Sequence, residues 1–576
     1  MQKVLKQLSV IIFLLQSGNI TGQTTYPHDY FRLPVDITPS LSGSFGELRS
    51  NHFHSGIDFR TQGAEGKPVY ASADGYVSRI RISPVGFGKA IYIEHPNGFT
   101  TVYAHVRNFK PSIQQYIIRE QYRKESFDVD YYPEPKSIFV KKGEVIAWSG
   151  NSGSSGGPHL HYEIRRSSNQ FPINPALFGI KITDNISPVI QRLKIYPADN
   201  YSSINNKSES MVFEASGSKG SYRLTTENPL SLSGTVAFGL QYYDLHDHSN
   251  LQLGIVSMDV FINAQLVYSH RIDQFSFDET RYVNAVIDYE ELIRNKRRFV
   301  QTRILPNNPL KIYEVVKQNG VFDFSDPGLY QIRIVVTDSY GNQAMLDFTA
   351  TGSPASSRPL FVPDTTGKNL FRHHQINSFT ADKFIIELPL LALYDDIWFT
   401  SSERSPERET FSNVFEIHNT CTPVHRSYIL KIKPSKLPEK LRSKSVIARK
   451  DDKNKWVSEG GHYEAGWVST AVRSFGVFSV VVDTLAPVIA PVNIHPGKDI
   501  SNQNTIALKI NDEFSGIKTY HGSLNGQWIL MDYDPKNESL VYMFDARLIK
   551  GENKFVLLVS DNVGNNARYE AKLMKQ

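Results

Sequence analysis

SGNSGSSGGPHLHYEI, residues 149–164, carries a Gly/Ser-rich run into a short alternating segment. The alternation and the glycine-rich entry read as a loop feeding a strand, in which residues two apart share a face. His159, His161 and Glu163 then project together from one side of that strand. Working outward, KPVYASADGYVSRIRI (67–82), GKAIYIEHPNGFTTVYAHV (88–106) and SIFVKKGEVIAWSG (137–150) are further β-branched or alternating runs bounded by Gly, Pro or Asn. Asn97-Gly98 between two of them suits a hairpin turn, because both positions accept positive φ. Residues 23–180 are therefore expected to form a small antiparallel β domain. An insertion of mixed charge and helical character, about 108–136, interrupts it.

Two other segments of this domain carry chemistry-bearing side chains. NHFHSGID (51–58) offers His54 and Asp58 across a Ser-Gly pair, so a loop leaving a strand is expected rather than a helix. TVYAHV (101–106) offers His105. Each piece alone has an ordinary explanation: a polar surface pair for His-x-His, a hydrogen-bonded core residue for His105. Three such segments at the ends of successive strands point instead to a shared site. Cys421 is the one cysteine, so an intramolecular disulfide and a thiolate zinc site are both excluded. Any metal must be held by imidazole and carboxylate, a donor set that zinc accepts.

The blocks FGELRSNHFHSGID, PVYASADGYVSRI, GKAIYIEHPNGFTTVYAH, VKKGEVIAWSGNSG and GGPHLHYEI resemble, in order, those of the lysostaphin/LytM-type zinc endopeptidases. The resemblance covers about 45–178, under a third of the chain. It implies that His54, Asp58 and His161 bind Zn2+, and that His105 and His159 flank the metal and assist water and the transition state. Which of the two is the base stays open. It further implies hydrolysis of peptide cross-links in bacterial cell-wall peptidoglycan. The insertion after His105 departs from the family pattern and is expected beside the substrate groove. A non-catalytic wall-binding or hydrolase-activating protein on the same fold is the alternative reading.

The chain has 576 residues, a net charge of +5 and 21% charged residues, the composition of an ordinary globular protein of several domains. With no basic block, nucleic acid is not expected as a partner. Residues 1–22, with Lys3 and Lys6 ahead of LSVIIFLL, read as a signal peptide, too short an apolar run to span a membrane. Export to the periplasm, outer envelope or medium is expected, without a transmembrane anchor. DNISPVI (184–190) recurs as DTLAPVI (483–489), and the turns DSYGN (338–342) and DNVGN (561–565) close each copy. The expected fold is mainly β: the metallopeptidase domain, then a β-sandwich over 181–353, a β-rich middle domain over 354–480 and a related sandwich over 481–576. The sandwiches resemble immunoglobulin-like modules and are where an envelope protein partner would bind. Asp184, Asp244, Asp338, Asp483, Asp512 and Asp561 raise the option of calcium but are expected to cap turns. His246 and His248 are expected to sit in a loop.

Overall fold

A computed structural model describes residues 26–226, 229–247 and 249–576. The expected signal peptide and His248 lie outside them. No helix of the described residues is long and apolar enough to cross a membrane.

The first domain is organised by an antiparallel sheet with strands β1 (Leu41–Gly43), β2 (Ile57–Arg60), β3 (Gly75–Ile82), β4 (Lys89–Glu94), β5 (Phe99–Ala104), β6 (Val129–Tyr131) and β7 (His159–Arg166). Their order is β1-β2-β7-β5-β4-β3-β6. The late strand β7 thus inserts between two early ones, with His161 opposite Asp58 on β2 and Ala104 on β5. Alternation assigns its faces. Leu160, Tyr162 and Ile164 enter the main core, while His161, Glu163 and Arg165 are buried on the other side. Near them on β4 and β5, Ala90, Tyr92, Val102 and Ala104 make a small apolar cluster under Phe87.

The insertion forms helix α1 (Pro111–Lys124) and strand β6. Pro111 suits the first turn, where its missing N–H costs no bond. Ile113, Ile117 and Gln121, four apart, form the buried stripe. β6 pairs with β3, at the opposite edge of the sheet from β1. The outer side of α1 meets the C-terminal sandwich. Tyr122 bonds Asp545 through its hydroxyl, packs edge-on against Trp528 and lies under the Arg547 guanidinium, 3.8 Å from its ring centroid. Through these contacts the insertion joins the first domain to the C-terminal copy.

Beyond the first domain the fold is mainly β, with two short helices, Val283–Val286 and Tyr289–Asn295. In the first repeat copy, strand 211–218 pairs with 189–197 at one end and with 221–224 at the other, linking two halves into a 13-stranded ladder. The middle domain has two five-stranded sheets and its own core around Ile386, Leu430, Phe475 and Val480. The C-terminal copy has two four-stranded sheets around Leu508, Leu540, Phe555 and Leu557. The first repeat copy differs: its core is continuous with that of the first domain. Phe275 lies 5.4 Å, centroid to centroid, from both Phe45 and Phe53, and Ile272 packs over Gly46.

Of the six aspartates, Asp184, Asp338, Asp483, Asp512 and Asp561 cap turns, whereas Asp244 leaves Oδ1 without a partner. Asp338 Oδ1 accepts from the amides of Tyr340 and Asn342, and Asp561 Oδ1 from those of Val563 and Asn565. Asp184 and Asp483 each accept from the amide two residues on. His246 is buried, with Nδ1 2.6 Å from the Asp247 carbonyl oxygen.

Candidate active site

His54 sits in the loop that enters β2. That loop presses on β7: a Cβ on Gly56 would lie 2.2 Å from the Tyr162 carbonyl oxygen, so glycine is required by the approach. His54 Nδ1 donates to the Ser44 carbonyl at 2.7 Å, which leaves Nε2 with its lone pair. On β2, Asp58 Oδ2 accepts from Arg49 Nη2 at 2.7 Å, which leaves Oδ1 facing the site. On β7, His161 Nε2 lies 2.8 Å from Glu163 Oε1, and Arg165 pairs with the second Glu163 oxygen. Nδ1 of His161 is then the free nitrogen.

These three free atoms converge. Asp58 Oδ1 is 3.1 Å from His54 Nε2 and 2.8 Å from His161 Nδ1, and the two nitrogens are 3.0 Å apart. Two neutral imidazoles with their protons committed elsewhere would repel through facing lone pairs, so the arrangement calls for a cation between them. The donor set suits zinc. Bonds of about 2.0–2.1 Å at tetrahedral angles put ligands about 3.3 Å apart, so the triangle need open by only a few tenths of an ångström. Second-side partners such as Ser44, Arg49 and Glu163 are what orient ligands of this kind.

Electrostatics agree. Burial would push the Asp58 carboxyl up, but the neighbouring His54 and His161 outweigh it and hold it well below the usual range. Burial likewise opposes ionisation of Glu163, and Arg165 with His161 brings it down to about 2. For His161 burial disfavours charge, yet Asp58 and Glu163 raise it to about 9. Arg49 and Arg165 meet these carboxylates from their outer sides, and on the inner side Asp58 Oδ1 and the two imidazoles are left to share a proton or a metal ion.

His105 leaves β5 with φ of +59°, a left-handed conformation uncommon for a residue with a Cβ. Its Nδ1 donates to the Ser152 carbonyl at 2.8 Å. His159 Nδ1 is 2.9 Å from the Gly157 carbonyl oxygen, and its Nε2 stands 3.6 Å from Asp58 Oδ1. The two rings are 4.8 Å apart, centroid to centroid. Burial, then the nearby His161 and His159, lowers His105 to about 3, and burial lowers His159 too. Both are neutral at pH 7. Phe87 stacks on His161 at 5.0 Å, closing the apolar side of the cluster.

All five sequence-derived residues therefore gather at one place, together with Glu163. Sequence reasoning did not find Arg49, the Ser44 and Ser152 carbonyls, or Phe87. Nothing in local sequence distinguishes these from ordinary loop residues. Arg165 was available, since it continues the His161-Glu163 alternation.

Residues 52–122 match the model described as Peptidase family M23, and residues 368–483 match that of a Zu5-like domain. The DD-carboxypeptidase/endopeptidase Mpg of Neisseria meningitidis serogroup B is 35% identical over 150 residues, 25% of this chain and 28% of the relative. The peptidoglycan DD-endopeptidase ShyA of Vibrio cholerae is 31% identical over 139 residues, 23% of this chain and 26% of the relative. The chain thus matches about a quarter of the length of each of these two curated relatives. Among solved structures, the catalytic domain of lysostaphin from Staphylococcus simulans is 22% identical, covering 24% of this chain and 91% of that one with a TM-score of 0.19. The first domain of this chain is an M23 peptidase domain of the LytM type.

Proposed function

We propose that the chain is an exported, zinc-dependent endopeptidase that hydrolyses peptide cross-links of bacterial cell-wall peptidoglycan, with His54, Asp58 and His161 as the zinc ligands. The observation that carries this reading is the convergence of three lone-pair atoms whose opposite ends are all bonded away. The names of the curated relatives favour a DD-peptide bond as the target. Zinc supplies Lewis-acid chemistry, polarising a carbonyl and making water nucleophilic near neutral pH.

The chain's own residues do the rest. Ser44, Arg49 and Glu163 hold the ligand atoms in register. His105 and His159, each with Nδ1 tied to a backbone carbonyl, present a neutral Nε2 that can accept a proton from the attacking water. Once protonated, that ring becomes a donor to the departing amine or to the oxyanion. Phe87 and the small cluster beneath it keep bulk water from one flank.

Digestion of purified peptidoglycan, with new termini identified by mass spectrometry, tests the reading. The wild-type chain is expected to bind one zinc in this site and to release peptide termini. His161→Ala is expected to lose both, with turnover falling at least about 1000-fold. A zinc-loaded wild-type chain that binds peptidoglycan and releases no termini would instead support the non-catalytic alternative.

A further inference from the structure

The two repeat copies each gather three aspartates, Asp184, Asp244 and Asp338 in the first and Asp483, Asp512 and Asp561 in the second. In each triad one oxygen from every residue lies within 4.8 Å of the others. Two members of each triad are held alike. Asn342 Nδ2 bridges Asp338 Oδ2 at 2.8 Å and the Asp184 carbonyl at 3.2 Å, and Asn565 Nδ2 bridges Asp561 Oδ2 at 2.6 Å and the Asp483 carbonyl at 3.1 Å.

The third member separates them. Asp512 is followed by Glu-Phe-Ser-Gly, and this loop supplies donors. Asp512 Oδ1 accepts from the Gly516 amide at 2.6 Å, and Asp483 Oδ2 from the Ser515 amide at 3.2 Å. In the first copy the corresponding chain runs on as Leu-His-Asp; the Leu245 amide bears on Asp244 and the Asp247 amide on Asp184, yet one oxygen of each carboxylate is still left over. Asp244 is 3% exposed, yet its Oδ1 has no hydrogen-bond partner, and neither has the buried Oδ2 of Asp184. No lysine or arginine of the described residues pairs with Asp184, Asp244 or Asp338. A buried carboxylate oxygen without a donor is costly unless a cation meets it.

We propose that Asp184, Asp244 and Asp338 form a binding site for a hard divalent cation, calcium by preference, and that the second triad is a sibling in which backbone amides have replaced the ion. Oxygen-only donors select a hard cation, and a closed, irregular cage suits calcium better than magnesium, which sheds its waters reluctantly. The electrostatics run the same way: burial and then the two neighbouring carboxylates raise Asp244 to about 9. The ion would join the linker after the first domain, the loop after strand 235–243 and the turn after strand 328–337. That loop is itself part of the seam with the peptidase domain. Gly254 donates to Ser44 Oγ at 2.9 Å, and Ser249 Oγ donates to the Leu41 carbonyl at 3.0 Å. Ser44 is the residue whose carbonyl orients His54.

The test uses the full-length mature protein, zinc-replete and stripped of calcium. Radioactive calcium in equilibrium dialysis is expected to give one bound ion per chain, and millimolar CaCl2 to raise the melting temperature by several degrees. Terbium is expected to luminesce on excitation of tyrosine, since Tyr340 sits close enough for all three carboxylates to bear on it. Asp244→Asn and Asp184→Asn should abolish all three responses while leaving calcium-free melting unchanged or higher, because each removes a repelling charge. Asp512→Asn should keep them. The proposal is overturned if calcium neither binds nor shifts melting, if magnesium reproduces the whole response at equal concentration, or if Asp512→Asn loses the ion while Asp244→Asn retains it.

Discussion

The two repeat copies touch the peptidase domain in opposite ways. The first is fused to it. Phe275 and Ile272 enter the same apolar core as Phe45 and Phe53, and Phe277 covers Arg165, 4.4 Å from guanidinium to ring centroid. Arg165 in turn holds Glu163, which holds His161. The C-terminal copy has a core of its own and meets the peptidase domain through side-chain tips. Lys89 pairs with Asp532, Tyr122 with Asp545, and the Lys536 ammonium reaches the carbonyls of Asn151, Gly153 and Ser155. Tyr520, Leu530 and Tyr533 of that copy lend half-buried apolar surface, and Trp528 meets Tyr122 edge-on. The two copies share their aspartate-closed turns, while the apolar or polar residues each presents to the first domain decide whether it is built into that domain or docked on it.

The largest contrast is expected on truncation. A fragment of residues 23–180 leaves the Phe45 and Phe53 face bare and should be insoluble or unfolded by circular dichroism. A chain ending at residue 483, after the last strand of the middle domain, should fold and keep most of its wall-lytic rate. A soluble, active 23–180 fragment would break the comparison. Next, Phe275→Ala should destabilise the peptidase unit by about 3–5 kcal/mol, the usual range for deleting a buried aromatic, as read by urea denaturation. Glu163→Gln should weaken zinc affinity by about 10–100-fold in chelator competition, because a ligand's orienting partner is altered. Smallest of all, Lys536→Ala should change stability by less than about 1 kcal/mol, as for other exposed ionic contacts.

Acidification sharpens the same contrast. Burial lowers His95 in the first domain and His270 in the first repeat copy to about 4. Unfolded histidine titrates near 6.5, so between those values the unfolded chain binds more protons. The stability contributed by these two histidines should be complete above pH 6.5 and be lost as pH drops toward 4. Melting curves across that range check the sign.

Much of this was legible in the chain. The alternation in HLHYEI put His161 and Glu163 on one face, and the DNISPVI and DTLAPVI echo announced two related modules. Local grammar of this kind survives because strand faces and turn caps depend on neighbours a few residues away. The insertion is different. Its helix carries Tyr122, whose hydroxyl meets Asp545, more than 400 positions later. No local pattern encodes such a partner.

By itself, then, the sequence determined most of the strands, the aspartate-closed turns at 338–342 and 561–565, the gathering of imidazole and carboxylate donors and the exclusion of thiolate chemistry. The tertiary structure decided which lone pair each donor offers, through Ser44, Arg49 and Glu163, and which of two look-alike aspartate triads is left with unmet oxygens. It also decided that the first sandwich shares the peptidase core. The reason is physical: donor type is a property of one side chain, whereas a committed proton, an unmet oxygen or a shared core exists only once distant segments have been packed together.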